Sequence, residues 1–195
     1  MFFLQAAAKQ VTNWLIRNGG ISEKDREIYE YGFDNLFSTL TNFIIVICIG
    51  WLLGIVVESI IFYVTYFMLR VYAGGYHADS PMTCFFLSIV LLIPYLLAIK
   101  YQHVWNIPEV FFALLVGAVA ILIWIAPVGT KNKMLDDLEK TVYRRRLFRN
   151  LTIVSIIGVI LFMLSLNEYY AAILCGILLT MTIALAGKIK LSLQG

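Results

Sequence analysis

The chain reads as an all-α polytopic membrane protein with six transmembrane helices and an N-terminal interfacial amphipathic helix. Three observations carry that reading. Over 195 residues it is 61% hydrophobic and only 14% charged, with a mean hydropathy of +0.85, far more apolar than an ordinary globular domain. Its apolar residues gather into stretches that resolve into six segments at a span length of about 20 residues. Its basic residues alternate between connecting loops, with only Lys100 falling in the loops of the opposite side.

The first element is the stretch MFFLQAAAKQVTNWLIRNGG. Phe3, Leu4, Ala7, Ala8, Val11, Trp14 and Leu15 recur at helical spacing, while Lys9, Asn13 and Arg17 take the other face. That pattern describes a helix lying in the membrane interface. A secretory signal would carry its basic residues ahead of an uninterrupted apolar core, and Lys9 and Arg17 lie within or after this one. Gly19-Gly20 ends the helix, and Ser22 with Asp25 offers a capping box for a second, polar helix over about 23–35.

The spans follow near residues 37–54, 55–70, 80–99, 108–126, 151–166 and 169–187. The first two form one long apolar run, in which Gly50, Gly54 and Glu58 are the candidates for a turn. The chain is read as a single membrane-embedded domain over 1–195, with cytoplasmic or interfacial helices in 1–35 and the six-helix region in 36–187.

Charge supplies the orientation. Lys and Arg fall at 9, 17, 24 and 26, at 70, at seven positions from 131 to 149, and at 188 and 190. By the positive-inside rule that side is cytoplasmic, which puts both termini and the 70–80 and 131–150 loops in the cytosol of a multi-pass protein of the cell membrane. The net charge of +3 reflects this topology, with anionic membrane lipid or an acidic partner as its complement; nucleic acid is not implied.

Three cysteines, an odd number, argue against a disulfide framework. Cys48 and Cys175 sit inside predicted spans among Ile, Leu and Gly, where a thiol behaves as a small apolar residue. Cys84 differs, because it belongs to the stretch RVYAGGYHADSPMTCFF, residues 70–86. Asp79 or Ser80 can cap the third span and Pro81 suits its first helical position, leaving Cys84 in the first turn. A helix N-terminus stabilises a thiolate. His77, in the loop before it, can fold back as the base, and Gly74-Gly75 permits unusual backbone angles and close approach of another chain. By spacing alone, a catalytic pair and a merely packing pair stand side by side. One Cys and one nearby His are too few ligands for a metal, and no cofactor is implied.

Other residues admit two readings each. Asp79 either orients His77 or caps the helix. Arg70, at a span end, either holds a substrate carboxylate or reaches lipid headgroups. The run YRRRLFRN, with Arg144, Arg145, Arg146 and Arg149, is a topology determinant that can also bind an acidic peptide tail. Glu58 is expected exposed in a tight outer turn, the alternative being a functional intramembrane carboxylate. His103 lies in the outer loop and is assigned no chemistry.

The six spans, the amphipathic start, GGYH at 74–77, Cys84 seven positions after His77 and the basic stretch of the middle loop together resemble the AgrB family of accessory gene regulators, over essentially the whole chain. The most specific part is the set Arg70, Gly75, His77 and Cys84 with intact spacing. The resemblance implies a membrane-embedded cysteine endopeptidase that removes the C-terminal tail of a small quorum-sensing propeptide and helps close the remainder into a macrocycle. It implies Cys84 as nucleophile and His77 as general base, Arg70 and Gly75 as shaping the site, an amphipathic propeptide with an acidic tail as partner, and a homodimer. Two rival classes are a small dimeric transporter that uses Glu58, for which inverted repeats or broken half-helices are the expected marks, and a non-enzymatic adaptor docking through the basic loop.

Overall fold

The computed structural model describes residues 2–76, 81–105, 107–129 and 136–194. Among the described residues there are seven α-helices: α1 (Phe2–Arg17), α2 (Arg26–Leu53), α3 (Val56–Ala73), α4 (Pro81–Lys100), α5 (Pro108–Ile125), α6 (Asp137–Met163) and α7 (Asn167–Gln194). α2, α3, α5, α6 and α7 are each long and apolar enough to cross a membrane. α4, with 20 residues, matches the length of about 20 that a bilayer requires. The all-α polytopic class expected from composition is therefore observed, and each predicted span finds its helix. Large apolar side chains such as Trp51, Leu52, Val116 and Trp124 stand exposed on the outside, which lipid accepts at no hydrophobic cost.

The N-terminal amphipathic helix is present as α1. It packs along α2, burying Ala8 and Thr12 while Trp14 stays exposed. Arg26 ties the two together, donating to the Asn13 side-chain oxygen at 2.5 Å and to Glu23 at 2.6 Å. Ser22 caps a short 3-10 turn over Glu23–Asp25, its hydroxyl accepting from the Lys24 amide. The separate polar helix expected over 23–35 is not a separate element: from Arg26 the chain runs as one helix to Leu53, because no Gly or Pro interrupts it between Phe33 and Gly50.

The turn between the first two spans falls at Gly54, whose φ of 73° closes α2 in the left-handed conformation. At Gly50 the two helices come so close that a Cβ would collide with the Ser59 side chain. The burial next to this turn changes the reading of Glu58. It does lie in the first turn of α3, but it is only 9% exposed rather than facing out.

A second correction concerns the basic loop. Much of the segment read as a loop over 131–150 is helix, because α6 begins at Asp137 and continues without a break into the span. A capping box starts it: Asp136 accepts from the Glu139 amide at 2.6 Å and Glu139 accepts from the Asp136 amide. α7 likewise runs past the expected end at Gly187 to Gln194.

α7 is the centre of the bundle. Just over half of its span, 56%, is buried, against 11% for α2 at the periphery. It contacts α3, α4, α5 and α6, with Ala171, Ala172, Leu174, Ile177 and Ala184 all inaccessible. Small residues make this possible: a Cβ on Gly176 would lie 2.8 Å from Thr65 and 3.0 Å from the Phe62 carbonyl, the close approach by which membrane helices gain packing contacts. Polar ties cross the bundle from Tyr63 to the Thr39 carbonyl (2.9 Å), from Tyr95 to Thr182 (2.7 Å) and from Asn150 to the Met68 carbonyl (3.3 Å).

A candidate active site at the glycine strap

α3 ends at Ala73, and the next three residues form a strap across one end of the bundle. On one side of it the Ala73 carbonyl accepts from the Val128 amide at 2.9 Å, and the Gly75 amide donates back to the Val128 carbonyl at 3.3 Å. On the other side the Tyr76 amide donates to the Ile183 carbonyl of α7 at 3.0 Å. A segment is thus held between the chain following α5 and the C-terminal half of α7.

The glycines are what permit it. Gly74 has φ 66° and Gly75 φ 124°, values unfavourable to residues with a Cβ. Space forbids a side chain as well. A Cβ on Gly74 would strike the Val128 carbonyl, and one on Gly75 would lie 2.7 Å from the Ile183 carbonyl. The α7 side of the contact is Gly187, where a Cβ would collide with the backbone of Gly75 and Tyr76.

Arg70, in the last turn of α3, braces the strap from within. Its guanidinium donates to the Gly74 carbonyl through one Nη and to the Tyr76 carbonyl at 2.9 Å through the other. The sequence offered a substrate carboxylate or a lipid headgroup as its partner; the structure adds backbone support, using part of a fork with five donors. Lys190 stands 5.0 Å over the Tyr76 ring, and Lys188 4.3 Å over Trp124, within cation–π range.

The four arginines of α6 are all exposed but differ in their contacts. Arg144 reaches the Ile123 carbonyl at 3.4 Å, whereas Arg146 lies 5.9 Å over the ring of Tyr72, two residues before Gly74. Arg145 and Arg149 are exposed, four residues apart on one helix face. Arg70, Arg146, Lys188 and Lys190 therefore share the end of the bundle that carries the strap, as the charge alternation predicts. Cys84 lies in the helical start of α4, with its side chain outside the described residues. His77 and Asp79 also lie outside them. Cys175 is buried and Cys48 exposed on α2.

Sequence reasoning missed Gly187, Ile183 and Val128. A signal for Gly187 existed: Gly176, Thr180, Ala184 and Gly187 recur at helical spacing as a small-residue stripe, the mark of a close helix contact.

A bundle of apolar helices with a glycine strap at one end defines a small all-α polytopic membrane protein. Residues 8–185 match the family model described as Accessory gene regulator B, and the chain belongs to that family. It is 31% identical over 150 residues to an AgrB-like protein of Clostridium perfringens, covering 74% of this chain and 69% of that protein. It is 30% identical to the accessory gene regulator protein B of Staphylococcus aureus (69% and 67% covered), and 28% identical to protein FsrB of Enterococcus faecalis (69% and 57% covered). No solved structure matches.

Proposed function

We propose that this chain matures a quorum-sensing propeptide as a membrane-embedded cysteine endopeptidase, cleaving off the acidic C-terminal tail and passing the remainder through a thioester to a cyclic product. The observation that carries the reading is the strap. Pinned to Val128 and Ile183 and braced by Arg70, it leads directly into His77, and the next helix begins with Cys84 in its first turn. Rigid backbone immediately before a general base, and a helix N-terminus around a thiol, are what a cysteine nucleophile needs.

In the proposed reaction His77 takes the thiol proton and the Cys84 sulfur attacks the scissile carbonyl. The carbon–nitrogen bond breaks, the tail leaves as an amine carrying the proton returned by His77, and the rest of the peptide stays on sulfur as a thioester. An internal Cys or Ser of the peptide then attacks the thioester, closing the ring and releasing the Cys84 thiol. The internal nucleophile is tethered and so acts at a high effective concentration, while a site at the membrane boundary limits competing water. Arg145 and Arg149 attract the acidic tail. By the positive-inside rule the strap end and both termini face the cytosol, and the working unit is a homodimer in a lipid bilayer.

The test is cleavage of the cognate propeptide in membranes. Cys84→Ala and His77→Ala each abolish tail release with the protein still inserted, while Cys48→Ala does not. Normal tail release by Cys84→Ala ends the peptidase reading.

A further inference from the structure

Where α2, α3, α4 and α7 meet, their side chains leave a cavity in which the centre of a water molecule has about 20 Å³. We propose that it is the binding site of one structural water molecule, which joins the peripheral helix α2 to the rest of the bundle inside the span; the site is independent of the peptidase reading.

Three observations converge. The first is size. One water needs about 10–15 Å³ measured in this way, so the cavity takes a water and is too small for a lipid chain or a large side chain. The second is Asn42 of α2, whose side-chain oxygen is shut off from solvent and has no hydrogen-bond partner among the described residues. A buried acceptor without a donor is unfavourable, and more so within a bilayer, where lipid tails offer no hydrogen bond. The third is the lining. Tyr63 and Tyr66 of α3 and Ser88 of α4 border the cavity together with Asn42, and a buried water is held by about two to four polar partners.

The chemistry of the wall selects water over an ion. The Tyr63 hydroxyl donates its proton to the Thr39 carbonyl at 2.9 Å, so toward an occupant it acts only as an acceptor. The Asn42 oxygen is an acceptor as well, and the occupant has to supply hydrogens. A water molecule donates two and keeps its lone pairs for the hydroxyls of Tyr66 and Ser88. Among the described residues no charged side chain lines the cavity, so a cation would sit there without a counter-charge. Leu91 and Leu179 make the rest of the wall apolar. α2 has few packed side chains to hold it, 11% of its span being buried, and the water adds a polar joint to the one that Tyr63 makes with Thr39.

The experiment uses the purified full chain in detergent, exposed to brief X-ray pulses that convert water, bound or bulk, into hydroxyl radicals, with oxidation of individual side chains then read by mass. Leu179 and Leu174 make a matched pair on α7. Both are inaccessible to bulk solvent, at 1% and 0% exposure, but only Leu179 lines the cavity. A water held there oxidises Leu179 several-fold faster than Leu174. Asn42→Leu removes the acceptor and fills the space, and it brings Leu179 down to the rate of Leu174; Ser88→Val, at a half-buried position, serves the same purpose if the first variant does not fold. Equal protection of the two leucines in the parent overturns the water site, and so does fast oxidation of Leu179 that survives the substitutions.

Discussion

Arg70 and Tyr76 are joined by a hydrogen bond of 2.9 Å from guanidinium to carbonyl, while the Tyr76 amide, on the same residue's other side, is bonded to Ile183 of α7. One side chain at the end of α3 thereby holds the last residue before His77 against the central helix. Arg70→Lys keeps the charge and loses the fork. The expected cost is about 1.5–3 kcal/mol, the value of a charge-assisted hydrogen bond. Amide exchange at Tyr76 should accelerate by about 10- to 100-fold, and tail release should fall in the same variant. Unchanged exchange at Tyr76 would remove Arg70 from the support of the strap.

Gly187 provides an independent test of the same contact, from the side of α7. Gly187→Ala puts a Cβ into the backbone of Gly75 and Tyr76, and overpacking of this kind costs about 1–3 kcal/mol. Gly117→Ala is the matched control, since nothing lies within 4 Å of its added carbon. Thermal unfolding in detergent should show a lower transition for the Gly187 variant and none for the control. Equal transitions would mean that the strap yields freely.

Much of this fold is legible in the sequence, because lipid sorts residues by a property that composition reports directly. The six spans and the amphipathic start required only runs of Leu, Ile, Val and Phe and the alternation of Lys and Arg. Gly54 stood among the candidate turn residues, and GGYH marked the strap. What escaped depended on contacts distant in sequence. Tyr76 meets Ile183 and Gly75 meets Val128, and no local pattern around residue 75 names either partner. Glu58 was expected outside because a charge beside a turn reads as exposed, and its neighbours in sequence do not disclose its burial. The early start of α6 has a different cause. Asp136 and Glu139 spell a capping box, but the charge density of 137–149 reads as loop when the search is for apolar length alone.

The arginines of α6 divide by position, and so should their variants. All four are exposed; exchanging Arg145 and Arg149, four residues apart, for Gln should weaken binding of an acidic peptide tail by an amount that shrinks as salt rises. Arg144 and Arg146 contact Ile123 and Tyr72, so their loss should add a salt-independent component. Labelling must find the α6 start on the same side of the membrane in all variants. Salt-independent effects for both pairs would argue against tail docking by Arg145 and Arg149.

Glu58 separates the peptidase from its transporter rival. Glu58 is buried in the first turn of α3 and Arg70 lies in its last, about 18 Å apart along the helix axis. The proposed reaction gives Glu58 no part, and Glu58→Gln should retain tail release in protein that inserts normally. Loss of function in Glu58→Gln together with full function in Cys84→Ala would favour transport.

The last prediction separates a cyclase from a simple protease, because the proposed thioester has two fates. A propeptide whose internal Cys or Ser is replaced by Ala can still be attacked by Cys84, so its tail is released while ring closure becomes impossible. If water is scarce at the site, the remaining fragment stays on the enzyme long enough to be weighed as an adduct at Cys84, and hydroxylamine frees it as it frees other thioesters. The unmodified propeptide leaves no such adduct, because its tethered nucleophile discharges the enzyme faster than water does. Immediate appearance of the free linear acid, with no adduct at the earliest times, would assign the second step to hydrolysis and leave this chain a protease alone.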